Sequence, residues 1–559
     1  MPLRPRDESG FTMVAAVAGM SLVATLALVA VAAVSGDISL TRGDLDRRQA
    51  YEAAKAGVNA YTFQLKTDNS YWTRCTNVPN PNETESSAVN QDGDKPLKTR
   101  KVPGSTGAKY AVELLPATGQ EECDSSSIEA ATESMLEPDG PLRGTFRIRS
   151  TGYSGKSKVA IVATFRPVTF LDYVYFTEYE TLDPSSYGFP NPSAQLTGAN
   201  TQCEKTLQAR DELGNVLSLS KAGRNSVPFY TGYNPKTKKT ESKYCSVISF
   251  VTGDFLNGPV HTNDTFSICG SPRFGRPEKS DSIEVGALSP GWYSTSSIPA
   301  GTSCSGNPSF KGPFRINAPA LSPPPTNAEL KEIAEPEFKF KGQVRICLNG
   351  ATLTVGNNGT CLGLHNGAYP ANGVIYVEND VCSESYSPFT ATYPATSGCG
   401  NAYIHGKYSG QLTVAAENDI VIDEDLNRDG ESAVLGLIAN NFVRIYHAHT
   451  GQTLNKDTLE PECNSGTETG LGDVTIEAAL LAIKHSFIVD HYDCGKKQGT
   501  LTVKGAIAQK FRGTVGTGSG TTGYLKNYNY DDRLRFLTPP SFLKPEQSVD
   551  WTIGRETIE

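Results

Sequence analysis

The sequence predicts a mainly β protein, with a parallel β-helix (solenoid) ectodomain carried on a long N-terminal α-helix and a β-sandwich as the alternative for that ectodomain. Three observations predict it. Residues 11–36 form one apolar run without a charge. Past residue 67 the chain turns rich in Asn, Asp, Ser, Pro and Gly, with short apolar runs. Farther on, short apolar segments built around an amide or an imidazole recur.

The first element is the helix. A charged leader, MPLRPRDESG, ends in Gly10 and is followed by FTMVAAVAGMSLVATLALVAVAAVSG. At about 1.5 Å per residue this run can cross a hydrocarbon core of roughly 30 Å with some tilt. Beyond it Tyr51, Ala54, Val58, Tyr61 and Leu65 repeat at spacings of 3, 4, 3 and 4, one stripe of an amphipathic helix. No proline falls between Pro5 and Pro79, so one rod can run through. Gly36, Gly43 and Gly57 each weaken it by about 1 kcal/mol relative to Ala and mark bends. An ordinary secretory signal cut near Ala33-Val34-Ser35 is the alternative, although such signals have apolar cores of only about 7–15 residues.

This leader, the phenylalanine after its glycine, and a helix apolar first and amphipathic second resemble the class III signal of type IV pilins. The stretch RRQAYEAAKAGVNAY, residues 47–61, is similar to the amphipathic half of PilX-like minor pilins. The resemblance implies cleavage after Gly10 by a prepilin peptidase, methylation of Phe11, and packing among other pilin-like subunits. Major pilins carry a glutamate at the fifth mature position; this chain has Ala15. A buried terminal amine without that partner is costly, so the resemblance points to a minor, priming or tip component.

Topology follows from cysteines rather than charge. Arg4 and Arg6 before the apolar run are balanced by Arg42, Arg47 and Arg48 after it. All twelve cysteines lie beyond residue 70: Cys75, Cys123, Cys203, Cys245, Cys269, Cys304, Cys347, Cys361, Cys382, Cys399, Cys463 and Cys494. They form no C-x-x-C pair, so an oxidising compartment with up to six disulfides is the economical expectation. Connectivity stays open; pairing neighbours in order closes loops of roughly 15 to 50 residues, each worth about 3 kcal/mol. The N-terminus is then cytoplasmic, the helix membrane-bound, and the bulk extracytoplasmic. A net charge of −9 without a basic patch excludes a nucleic-acid partner.

Four segments result: a leader at 1–10, the helix at 11–66, a small membrane-proximal β module at 67–165, and the ectodomain at 166–559. In the module, strands are predicted at 109–115 and as a hairpin over 145–167 turning at 153–156. The ectodomain repeats VHTNDTFSI, YVENDVC, AAENDIVI, IANNFVRI, IKHSFIV and IAQKFRG, centred on Asn263, Asn379, Asn418, Asn440, His485 and Gln509. The last four are 22, 45 and 24 residues apart, which fits coils of roughly 22 to 24. In such a coil Val, Ile and Leu stack inward, and turn amides can stack as a hydrogen-bonded ladder. The proline run within 321–326 and a short capped helix at 327–334 interrupt the series, and hairpin-like pieces such as 344–355 are what keep the β-sandwich as the alternative. Cys347 with Cys361 and Cys382 with Cys399 would close such inserts. Phrases such as LTVAAENDIVI and LGLIANNFVRIYH also resemble bacterial envelope proteins with PilX-type N-termini and solenoid-like ectodomains, which implies surface placement and no reaction.

Chemistry is thin. Asp423, Asp425, Asn427 and Asp429 form the densest acidic run; Asp425, Asn427, Asp429 and Gly430 match the opening of a calcium loop, but its twelfth position is Gly436 rather than glutamate. Calcium is therefore the one cation the sequence suggests, and no cofactor is required. His447 and His449 would share a strand face as surface residues, and His261 suits a turn. The aromatics of 170–179 and 524–530 are expected to cap the ends of a solenoid. No nucleophile, zinc-protease, phosphate-loop or dinucleotide motif occurs. The expected function is a non-catalytic minor or tip pilin-like surface protein acting in pilus assembly or adhesion, with surface glycans or proteins as ligands. A plain membrane-anchored adhesin and a tethered glycan-active β-helix enzyme are the alternatives.

Overall fold

The structure, a computed structural model, describes residues 11–68, 70–76, 89–92, 95–137, 144–186, 202–204, 228, 230–234, 238–294, 304–383, 386–455, 460–517, 520–535, 537–546 and 551–558. Strands hold 41% of the chain and helix 17%, so the protein is mainly β. It divides into two units: residues 1–167 with 550–559, and residues 168–549.

The first unit is a helix on a sheet. One helix runs through Phe11–Thr67, across Gly36, Gly43 and Gly57, as the single rod expected. Ala54, Val58, Tyr61 and Leu65, on the predicted stripe, are fully buried, while Tyr51 is half-buried. They pack with an antiparallel sheet ordered Arg100–Lys101, Lys109–Leu115, Phe146–Ser154, Ser157–Pro167 and Trp551–Ile558. Gly57 serves close packing: a Cβ there would collide with Ser150 Oγ and Tyr110. Gly152 likewise admits the helix, since its Cβ would run into Ala50 O and Ala54 N. Aromatic stacking fills the core, with Phe146 5.0 Å from Phe165 and 4.8 Å from Trp551.

The leader and Gly10 lie outside the described residues, as do the side chains of 11, 12, 14, 15 and 28–41. Among the described residues no helix is long and apolar enough to cross a membrane. The hairpin of 145–167 is present and turns at Gly155, where φ is +55°. The closing strand was not foreseen. Trp551–Ile558 pairs antiparallel with Ser157–Pro167, so the C-terminus belongs to the first unit and not to a domain running to 559. In sequence, the second unit thus falls between two strands that pair within the first.

The second unit is built on a curled sheet of 22 strands, paired mainly in parallel. One in-register column reads Ile375, Val414, Leu437, Leu480, Ile507, Tyr175, Val260, Ile283 and Phe314. A second reads Ile346, Ile404, Ile422, Ile445 and Val489. Except for half-buried Phe314, these side chains are buried in one apolar core. Spatial order is not chain order. Tyr175, near the unit's start, sits mid-column between Ile507 and Val260. The chain runs outward to Phe314–Arg315, crosses back through a segment containing the helix Ala328–Ile333, and rejoins the sheet at Lys339–Lys341.

That order corrects the expectation for the aromatics. Tyr175 lies inside a column, and Tyr528 pairs between Leu256 and Val503; neither caps an end. Antiparallel pairing enters this sheet in the hairpin Val344–Gly350, Thr352–Gly356 and Gly363–Ala368. Six disulfides join the cysteines in sequence order: Cys75 with Cys123, Cys203 with Cys245, Cys269 with Cys304, Cys347 with Cys361, Cys382 with Cys399, and Cys463 with Cys494.

Candidate functional site

Alternation along a strand sends neighbours of an inward residue to the opposite face. With Ile346, Ile404, Ile422 and Ile445 facing the core, Arg345, Tyr403, Val421 and Arg444 align on the outside. Cys347 and His405 align beside them. The outer face therefore gathers charge, aromatic rings and sulfur on a rigid support.

Asp423 organises its first part. It pairs with the Arg345 guanidinium and accepts from His405 Nδ1 at 2.8 Å. That hydrogen bond holds the His405 pKa above the usual histidine value against the opposing effect of burial. Arg345 also lies 5.1 Å over the Tyr403 ring. The Cys347–Cys361 disulfide stands next to His405, the ligand-type atoms of all three lying within 4.8 Å of one another.

The second part is buried. Arg444 bonds Asp490 at 2.8 Å and Asp419 at 3.1 Å. Tyr386 and Tyr393 donate to the two oxygens of Asp490 at 2.5 and 2.6 Å. Their rings flank Arg444, with Tyr386 4.2 Å from the guanidinium carbon. Both tyrosines belong to the insert closed by Cys382 and Cys399, so this network fastens the insert to the sheet. Burial first, and then the Asp490 charge, drive both tyrosine pKa values well above normal.

The third part holds the histidines, which are not surface residues. His447 is fully buried, with Nδ1 2.9 Å from Asp490 O and Nε2 3.1 Å from Glu468. His449 lies 3.3 Å from Cys494 Sγ. His491 contacts Gln452 at 2.7 Å and Ala391 O at 3.0 Å, joining two inserts. Burial depresses its pKa.

The acidic run takes a different form from the wrapped loop expected for calcium. Asp423, Asp425 and Asn427 lie on the strand Ile420–Arg428, where an extended backbone spreads ligands apart. Asp425 accepts from the Thr475 N–H at 2.8 Å, and Asp429 pairs with Lys407 at 3.3 Å. Each aspartate already has a partner, so the run is a set of strand-to-strand ties.

The predicted amides do not form one ladder. A ladder does run through Asn418, which donates to Asn401 at 2.7 Å and accepts from Asn441 at 2.5 Å. Asn440, one residue off, faces the crossing segment instead. Asn263 also holds that segment, bonding both backbone groups of Leu321 at 2.7 and 3.0 Å. Asn379 accepts from the Gly400 N–H at 2.7 Å, and Gln509 from the N–H groups of Phe487 and Gly513 at 2.9 and 3.0 Å. His485 pairs with Asp183 at 2.9 Å and stacks on Phe442. His261 bonds Glu284 at 3.2 Å and Asn263 at 3.1 Å.

No protein family and no curated protein matches the chain. Among solved structures, the competence-associated pilin ComZ from Thermus thermophilus aligns at 13% identity and a TM-score of 0.26, over 92% of this chain and 96% of that one. That score is too low to argue from. Sequence reasoning missed Arg345, Asp419, Arg444 and Asp490. A signal was available: the tripeptide VRI occurs at 344–346 and again at 443–445, placing an arginine outward between two core residues.

Proposed function

We propose that this chain is a non-catalytic, pilin-like surface protein: an N-terminal helix that packs among other apolar helices, and a large β-helix unit that makes contacts. One observation carries the proposal. Met13, Val17, Met20, Leu22, Val23 and Leu26 are between 58% and 76% exposed on a helix whose later half is packed on a sheet. An apolar rod left open at one end needs lipid or similar helices to cover it. The β-helix description of the second unit is supported by its in-register parallel columns, and six disulfides suit an extracytoplasmic setting with the N-terminus inside.

Binding rather than turnover is favoured by the outer face, where Asp419, Asp423 and Asp490 are each committed to arginine or histidine. A glycan-cleaving pair would need carboxylates free to meet substrate. The insert fastened through Tyr386 and Tyr393 is the surface offered to a glycan or protein ligand. Mass spectrometry of the chain purified from its own cells tests the pilus role. A terminus at a methylated Phe11 is expected. An intact Met1, or a start behind residue 35, would overturn it.

A further inference from the structure

We propose that Cys347, Cys361 and His405 form a redox-gated site for a soft or borderline cation such as zinc, closed as the disulfide and opened by a dithiol reductant. The inference stands apart from the pilus role. Two thiolates and one imidazole are the donor set of a Cys2His zinc site with an open fourth position, and here they are already gathered within 4.8 Å. Cys347 and His405 sit opposite each other on adjacent parallel strands, so the sheet fixes two of the three donors. Cys361 arrives on the turn after Thr352–Gly356.

Asp423 is the second, independent observation. It binds His405 Nδ1 at 2.8 Å, so in the neutral ring Nδ1 keeps the proton and Nε2 is the nitrogen available to a metal. A carboxylate placed this way is the usual outer partner of a metal-bound histidine, fixing its tautomer and raising its basicity. The other disulfide–histidine cluster, Cys463, Cys494 and His449, differs: His449 Nδ1 takes a backbone N–H from Gly451 at 3.2 Å. All three residues of the proposed site are half-buried, so a reductant can approach. Their disulfide spans 14 residues, the shortest separation of the six, and so constrains the unfolded chain least.

The chemistry balances. A dithiol passes two electrons to the Cys347–Cys361 bond and becomes a disulfide itself, leaving two thiols. Metal binding then displaces both thiol protons, and the two thiolates offset the cation's charge.

The test uses the full chain, partly reduced with a dithiol and titrated with Co²⁺ as a spectroscopic stand-in for zinc. The reduced protein is expected to gain thiolate-to-cobalt charge-transfer absorption that zinc abolishes, and the oxidised protein to lack it. His405→Gln keeps both cysteines and should remove the tetrahedral signature. Asp423→Asn should weaken Co²⁺ binding about 10- to 100-fold, and His449→Gln should leave it unchanged. An unaltered band in His405→Gln, an equal band in the Cys347→Ser/Cys361→Ser chain, or no band at all would overturn the proposal.

Discussion

Asn440 accepts the backbone N–H of Asn327 at 2.8 Å, across 113 residues of chain. Asn327 is fully buried, and its side chain donates to Ala416 O at 2.8 Å and Ile438 O at 3.1 Å while accepting from Tyr376 at 3.2 Å. It therefore pins the crossing segment to three sheet strands. Without such a pin, a parallel stack whose chain must return from one end to the other would carry a loose strap. Asn327→Ala removes two buried side-chain donor bonds and leaves the Tyr376 hydroxyl without its acceptor, while Ala416 O keeps the Asn440 N–H at 3.0 Å, and should cost about 2–4 kcal/mol. Urea unfolding should show a lower midpoint. Asn441→Ala, at the end of the amide ladder and half-exposed, should cost under about 1 kcal/mol.

The long helix and its stripe were legible because heptad spacing survives in one sequence, and the apolar alternation gave the strands. Three things were not. The strand Trp551–Ile558 pairs with one some 390 residues earlier, and nothing local announces so distant a partner. The stacking order of the second unit was hidden for the same reason: coil spacing assumes that neighbours in sequence are neighbours in space, which fails at Tyr175. The ladder slipped by one residue because Asn440 and Asn441 are both amides and a single position decides which face each meets. Asp423 illustrates the site: composition marked it as important, but its partners Arg345 and His405 come from other strands.

Glu284 makes acid a specific stress. Burial alone would raise its pKa, but hydrogen bonds from His261, Ser282 and Tyr173 outweigh that and bring it down to about 2. Because the folded value lies below the unfolded one, this stabilisation is fully present above about pH 4.5 and is lost as pH falls toward 2. The difference is worth at most about 3 kcal/mol. Urea midpoints measured from pH 6 to about pH 2 should fall less steeply in Glu284→Gln than in the parent, which starts higher. Parallel curves would show that other carboxylates set the acid limb.

The helix of the first unit depends on a glycine in the sheet beneath it. A side chain at Gly152 would strike the backbone of Ala50 and Ala54, and Ser150 donates to Ala54 O at 2.7 Å in the same contact. Gly152→Val should therefore lift the helix and cost about 2–4 kcal/mol. Hydrogen exchange should report faster exchange across Phe146–Ser154 and the buried helix stripe, with the columns of the second unit unchanged. Unaltered exchange at Phe146–Ser154 would mean the helix tolerates a wider gap.

The Arg444 network tests whether the insert between Cys382 and Cys399 is held by charge. Asp490→Asn weakens one of two carboxylate partners of a guanidinium only 6% exposed. Removing a buried ion partner outright costs about 3–5 kcal/mol, so this isosteric change should cost somewhat less, and Tyr386→Phe about 1–2 kcal/mol for one charge-assisted hydrogen bond. Arg444→Met should also destabilise, since it leaves Asp419 and Asp490 buried without their cation. Combining Arg444→Met with Asp490→Asn removes that conflict, and the pair should cost less than its separate effects added, by at least about 1 kcal/mol. Strict additivity in denaturant melts would mean that the disulfide and Tyr393 hold the insert, with the ion pair contributing nothing of its own.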